Sequence, residues 1–398
     1  MRLSAACADA DGTGFQSWAD YKTGPEGIVN PTQQAPRAGT YSGVDGFGLW
    51  WSMSSITDRP FAADLRPIRT EVSAEIDGQV VAQTSFERLN VGSEVAMEHV
   101  HEAGLRATLF LPRADRAPGV VVLGGSEGGL RAVERVAALL ASRGFAALAV
   151  AYFAYQYLPS QLVEIPVEYV ESAIRWLLAH PKVYGEKVAL LGMSRGGELA
   201  LLAGSFCPQV CAVVGFAASS VVWVGYADSR PTPRSAWTRG GHALPCAFPI
   251  APLSKRNRND AWSLRDCFLR ALERTHQIAR AQIQVERILG PLLLVSGGND
   301  QMWPSDVLAR LALRRRRKAG IRFRDVHLTY AHAGHAAGRL IGLPAAPTTT
   351  DRPGETTRYA LGGTKQANAR SAVDAWPRVL YFLRENLEDG TRTRRSRR

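Results

Sequence analysis

The 398-residue chain predicts an α/β fold, a mostly parallel doubly wound sheet with helices on both faces, preceded by a small β-rich domain. Three observations predict it. Beyond about residue 105, short unbroken apolar runs alternate with stretches of helical spacing, as strands buried on both faces require. Before residue 90 there is no helical periodicity, only apolar/polar alternation broken by Gly and Pro. The length is also more than one core usually organises. The predicted division is a β domain over 1–90, an α/β domain over 91–390 and a basic tail over 391–398.

In the first part "TEVSAEIDGQVVAQTSFERL" (70–89) alternates around "IDGQ", a hairpin signal. The α/β part then reads in order. "LRATLFLP" and "GVVVLGG" are strands, "LRAVERVAALLASRGF" a helix and "AALAVAYF" a strand. "PVEYVESAIRWLLAHP" is a helix, "KVALLG" a strand, "GGELALLAGSF" a helix and "CAVVGF" a strand. "GPLLLVSGG" and "IRFRDVHLTY" add two strands, and "SAVDAWPRVLYFLRENL" closes the chain as a helix. Residues 217–290 are too long for a simple crossover and read as an insertion folded over the sheet as a cap, with "LRDCFLRALERTHQIARAQI" as its helix.

Composition narrows the class. With 46% apolar and 21% charged residues the chain is globular. The net charge of +12 draws five cations from "TRTRRSRR" and five from "RRRRK" at the end of a predicted helix. Cations there complement the helix dipole, and no aromatic interleaving or recognition motif accompanies them, so a nucleic-acid partner is not expected. The five cysteines show no metal-ligand spacing and read as buried apolar groups in a reduced, cytoplasmic setting. "MRLSAACADADG" lacks the apolar run of a signal peptide. The uncharged stretch "VCAVVGFAASSVVWVGYA" reads as a buried strand and loop instead of a membrane span.

The chemistry centres on "GMSRG" (192–196), a G-x-S-x-G pattern between a strand and a helix. That context makes Ser194 a candidate nucleophile on a sharp turn, with the amide of Arg195 facing a developing oxyanion. In such folds the acid and then the base follow the serine. Asp300 lies in the loop after "PLLLVSGG". Asp306 is the competing acid, but Ser305 and Asp306 read as the cap and first turn of the next helix. After "DVHLTY" come His332 and His335, and His335 is preferred because Gly334 permits a tight loop. The glycine-rich "GGSEGG" after the first core strand offers a second oxyanion donor, assigned to the amide of Ser126. No metal or redox cofactor is required.

Taken together, "GTYSGVDGFGLWWSM", "GGSEGGLRAVERVAALLASRGFAALAVAYF", "LLGMSRGGELAL", "QVERILGPLLLVSGGNDQMWPS", the "GH" at Gly334 and His335, and "LGGTKQANARSAVDAWPRVLYFL" resemble the acyl-CoA thioesterase and bile acid-CoA:amino acid N-acyltransferase family, the type I thioesterases. The resemblance implies an N-terminal β-sandwich joined to an α/β-hydrolase domain and a triad on Ser194, Asp300 and His335. The family's sandwich usually begins a few tens of residues earlier, so a sandwich lacking an edge strand is expected. Family members that transfer acyl groups to amino acids carry cysteine as nucleophile, whereas the hydrolases carry serine. Ser194 therefore implies hydrolysis of acyl-CoA. Transfer to an amino acid, or hydrolysis of esters or lactones, is the alternative. Acyl-CoA is the one expected partner, with no membrane partner.

Overall fold

The computed structural model describes residues 1–56, 59–228, 230–250, 254–256, 261–339, 342–351 and 357–395. The β-rich part is an antiparallel sheet of β1 (Arg2–Ala8), β2 (Gly14–Asp20), β3 (Ala38–Gly39), β4 (Ile68–Ile76) and β5 (Gln79–Arg88), in the order β3-β2-β1-β4-β5. The β4–β5 hairpin turns at Asp77 and Gly78, both with positive φ (48° and 79°), and pairs Ile76 with Gln79. Two positive φ values give the turn the twist that antiparallel strands need. One end of the sheet buries Ala5, Cys7, Phe15 and Ile68 against Met53 and Ala345. Between β3 and β4 lies the short helix α1 (Gly48–Trp51).

The second sheet has eight strands: β6 (Ala96–Val100), β7 (Arg106–Leu111), β8 (Ala117–Leu123), β9 (Ala146–Ala151), β10 (Val183–Met193), β11 (Val210–Phe216), β12 (Leu292–Gly297) and β13 (Val326–Tyr330). Their order is β13-β12-β11-β10-β8-β9-β7-β6. The six from β9 to β13 run parallel, and the β6–β7 hairpin is antiparallel at the other edge. Alternate side chains go to opposite faces. Val121, Leu148, Leu190 and Val213 meet α3 (Glu168–Ala179), α4 (Arg195–Phe206) and α5 (Ser305–Lys318). Val120, Val122, Leu191 and Val214 meet α2 (Arg131–Ala141) and α6 (Lys365–Arg395). Double-sided burial explains why these strands are continuous apolar runs. The uncharged stretch at 210–227 is accordingly a central strand, a loop and the short strand Val224–Ala227, and no helix among the described residues is long and apolar enough to cross a membrane.

Several elements depart from expectation. The insertion helix predicted over 264–283 is two helices, Arg265–Leu272 and Thr275–Ala281, broken at Arg274, and both add apolar side chains to the cluster that holds Trp223 and Trp303. The strand predicted over 321–330 begins only at Val326. Asp325 is drawn aside to accept from the Leu292 amide (2.9 Å) and to pair with the buried Arg316 (2.8 Å). The closing helix starts earlier than predicted and runs to Arg395, taking in most of the segment read as a basic tail. Pro304, not Ser305, precedes α5, and the Ser305 hydroxyl is buried with no partner among the described residues.

Candidate active site

The serine turn is built by close approach. Strand β10 ends at Met193, α4 starts at Arg195, and Ser194 between them takes φ 54° and ψ −119°. That strained conformation falls on the serine itself; the flanking glycines serve proximity instead. A side chain on Gly192 would run into the Gly196 carbonyl, and one on Gly196 into the Gly124 carbonyl. The Ser194 amide donates to Phe216 O (2.9 Å), which ties the turn to β11.

Ser194, Asp300 and His335 come together beyond the carboxyl ends of β10, β12 and β13. Ser194 Oγ lies 2.9 Å from His335 Nε2, and His335 Nδ1 lies 2.9 Å from Asp300 Oδ2. All three are nearly excluded from water, at 7%, 0% and 3% exposure for Ser194, Asp300 and His335. With Asp300 accepting from Nδ1–H, Nε2 is left to accept the serine proton. Asp300 Oδ1 accepts from the amides of Met302 (2.9 Å) and Trp303 (3.2 Å), which fixes the carboxylate. The His335 loop is held by Asn368 at the start of α6, whose Oδ1 accepts from the Gly334 amide (2.8 Å). The other candidates lie elsewhere. His332 is exposed, and Asp306 in the first turn of α5 pairs with Arg265 (3.0 Å) and Arg310 (2.8 Å).

Arg195 contributes the first amide of α4, one that the helix leaves without an internal acceptor. In the loop after β8, Gly125 packs on Ser194: a Cβ there would stand 3.3 Å from Ser194 Cβ. Ser126 follows on the exposed side of the loop. Two side chains that sequence reasoning missed fix this loop. The Tyr152 hydroxyl donates to Gly124 O (2.7 Å), and Glu127 Oε1 accepts from the Gly125 amide (3.2 Å). Glu127 was visible inside "GGSEGG", yet its contact depends on how the loop folds back.

A third missed feature is the side chain next to Ser194. The Arg195 guanidinium is buried, 2.8 Å from Glu198 and donating to the carbonyls of Trp223 (3.3 Å) and Val224 (3.2 Å) in the insertion. Glu198 accepts from the Trp237 indole (2.6 Å) and the Trp223 amide (3.1 Å). Burial pushes the Glu198 carboxyl up to about 7, against the pull of Arg195 and the two N–H donors. Helix α4 and the insertion are thus joined through one buried ion pair.

Fold and serine turn define an α/β hydrolase of the serine type. Residues 165–389 match the BAAT / acyl-CoA thioester hydrolase C-terminal model, residues 1–102 the acyl-CoA thioester hydrolase/BAAT N-terminal region, and residues 105–224 the dienelactone hydrolase family. The chain belongs to the BAAT / acyl-CoA thioester hydrolase family. It is 31% identical to mouse acyl-coenzyme A thioesterase 6, covering 100% of this chain and 92% of that protein. It is 30% identical to mouse peroxisomal succinyl-coenzyme A thioesterase (97% and 90% covered) and to human mitochondrial acyl-coenzyme A thioesterase 2 (97% and 78%). Among solved structures, dienelactone hydrolase from Anabaena variabilis is similar at 15% identity and a TM-score of 0.40, over 74% of this chain and 99% of that one.

Proposed function

We propose that this protein hydrolyses acyl-CoA thioesters through an acyl-serine intermediate on Ser194. The observation that carries the reading is the hydrogen-bonded line Ser194–His335–Asp300 in a chain of this family, with serine as the nucleophile. His335 Nε2 takes the Ser194 proton as Oγ attacks the thioester carbonyl, while Asp300 keeps the imidazole in the required tautomer and steadies the imidazolium. The amides of Arg195 and Ser126 receive the oxyanion, each such donor being worth on the order of 10²–10³ in rate. The C–S bond breaks, and the imidazolium returns its proton to the departing CoA thiolate. Water, deprotonated by the same imidazole, then releases the acid and restores Ser194.

The test is release of free CoA from a panel of acyl-CoAs by the purified protein, with and without added glycine or taurine. Thiol release independent of the amine is expected; release that requires it would instead identify an acyltransferase. Ser194→Ala should lower kcat by on the order of 10⁴ or more while the protein stays folded. A folded variant with undiminished turnover would sink the assignment of the nucleophile.

A further inference from the structure

Arg195 follows Ser194 directly, so its side chain and the amide proposed for the oxyanion leave the same short stretch of backbone. The residue is only 4% exposed. Its Nη1 stands 2.8 Å from Glu198 Oε2, its Nη2 donates to the carbonyls of Trp223 (3.3 Å) and Val224 (3.2 Å), and the guanidinium lies 5.5 Å from the centre of the Trp237 ring. Glu198, one turn further along α4, is fully buried, and its other oxygen accepts from the Trp223 amide (3.1 Å) and the Trp237 indole (2.6 Å). The insertion therefore grips both members of the pair. Trp223 alone gives a carbonyl to the arginine and an amide to the carboxylate.

Stability is a weak reason for such a pair. The contact with Glu198 is off hydrogen-bond alignment, and Arg195 Nε and Glu198 Oε2 are buried without a hydrogen-bond partner among the described residues. A buried pair so placed recovers little of its desolvation cost, and apolar residues of similar volume often do as well. What the pair supplies is direction. Ser194 holds φ 54° and ψ −119°, a conformation that persists only when its surroundings over-determine it. That ψ sets the plane of the Ser194–Arg195 peptide, and hence where the Arg195 N–H points. Anchoring the guanidinium at three places fixes the residue on the far side of that plane. Trp223 also reaches the other side of the site, since its ring meets Phe268 (4.7 Å), Phe268 meets Trp303 (5.8 Å), and Trp303 meets His335 (5.8 Å).

We propose that the Arg195 and Glu198 side chains are positioning residues for acyl transfer: clamped to Trp223, they hold the Ser194–Arg195 peptide with its N–H aimed at the oxyanion. The inference rests on the acyl-serine reading of Ser194 and adds to it two side chains that act through a backbone amide.

The experiment compares the parent with Arg195→Met, Arg195→Lys and Glu198→Gln at about pH 8, above the value near 7 to which burial raises the Glu198 carboxyl. One probe is an acyl-CoA, read as kcat and KM. The other is an acyl trifluoromethyl ketone: Ser194 Oγ adds to its carbonyl carbon, the hydroxyl proton passes to His335, and the carbonyl oxygen becomes the oxyanion. Arg195→Met should lower kcat about 10–100-fold, less than the loss of a donor outright, with KM within about threefold. Ketone affinity should fall by the same factor, while acyl-CoA binding measured in a Ser194→Ala background stays unchanged. Arg195→Lys should recover part of the loss, and Glu198→Gln should show a smaller loss of the same kind. Circular dichroism checks the fold; if Arg195→Met does not fold, Glu198→Gln decides. The proposal is overturned if folded variants keep the parental kcat, if KM alone rises, or if kcat falls while ketone affinity stands. If the parent releases no thiol from any acyl-CoA, it is the acyl-CoA reading that has failed. Turnover of a p-nitrophenyl ester by the same variants then decides the pair, and a parent inert to the ester as well ends both.

Discussion

Asp300 makes its three contacts in a fully buried position, two from backbone amides and one from His335. Asp300→Asn would keep the shape and present an amide that favours the wrong imidazole tautomer, so kcat should fall by about 10⁴ with the fold intact. Steady-state kinetics beside a circular dichroism spectrum checks this; a loss below about tenfold would put the acid elsewhere. At Gly196 the constraint is steric. Its Cα lies against the Gly124 carbonyl, and Gly196→Ala must push α4 off the loop after β8. We expect a loss of roughly 1–3 kcal/mol in urea unfolding. The meeting of Ser194, Asp300 and His335 was legible because each follows a readable strand in the chain order such folds use. The division of labour within G-x-S-x-G was not, since proximity between a glycine and a distant carbonyl leaves no mark on local sequence.

Helix α4 shows why some elements carry more than their pattern declares. Its apolar residues pack as expected, but Arg195 and Glu198 turn inward to the insertion, where Trp223 and Trp237 complete their hydrogen bonds. Those partners come from segments distant in sequence, and no spacing rule announces them. The consequence is a pH dependence whose sign can be worked out. Folded Glu198 titrates near 7, above its ordinary value of 4.5, so between these pH values the folded state holds the extra proton. Stability therefore falls as pH rises through that window, by up to about 1.4 kcal/mol per unit, and levels off above it. Glu198→Gln should remove that slope. Denaturant melts at several pH values would refute the idea if parent and variant ran parallel. The same reasoning explains the misjudged insertion helix and the short β13. The two insertion helices join the apolar cluster of Trp223, and Asp325 is held by Arg316, tertiary partners that outweigh local periodicity.

Across the whole molecule, the N-terminal sheet and the α/β part are fastened by backbone as well as by side chains. The amides of Ala345 and Ala346 donate to the carbonyls of Trp50 and Trp51 (3.3 and 3.2 Å), Lys365 Nζ donates to Met53 O (3.4 Å), and Leu343 and Ala345 enter the apolar cluster under β1 and β2. With such a seam we expect one cooperative thermal transition, with tryptophan emission and far-ultraviolet dichroism coinciding. An early separate step seen by one probe alone would show that the two parts unfold independently. Apolar periodicity pointed to a β-rich part followed by an α/β part. It held no sign that the segment leaving the histidine loop would stitch them together.

The aromatic edge beside His335 has a practical consequence. Trp303 lies 5.8 Å from the His335 ring and also meets Phe268, which in turn meets Trp223. A change of charge on the imidazole, or an acyl chain laid along that row, alters the surroundings of an indole that is only 3% exposed. If Ser194 is acylated as proposed, Trp303 emission should change with it, and stopped-flow fluorescence of the parent beside Trp303→Phe would show the step without a label.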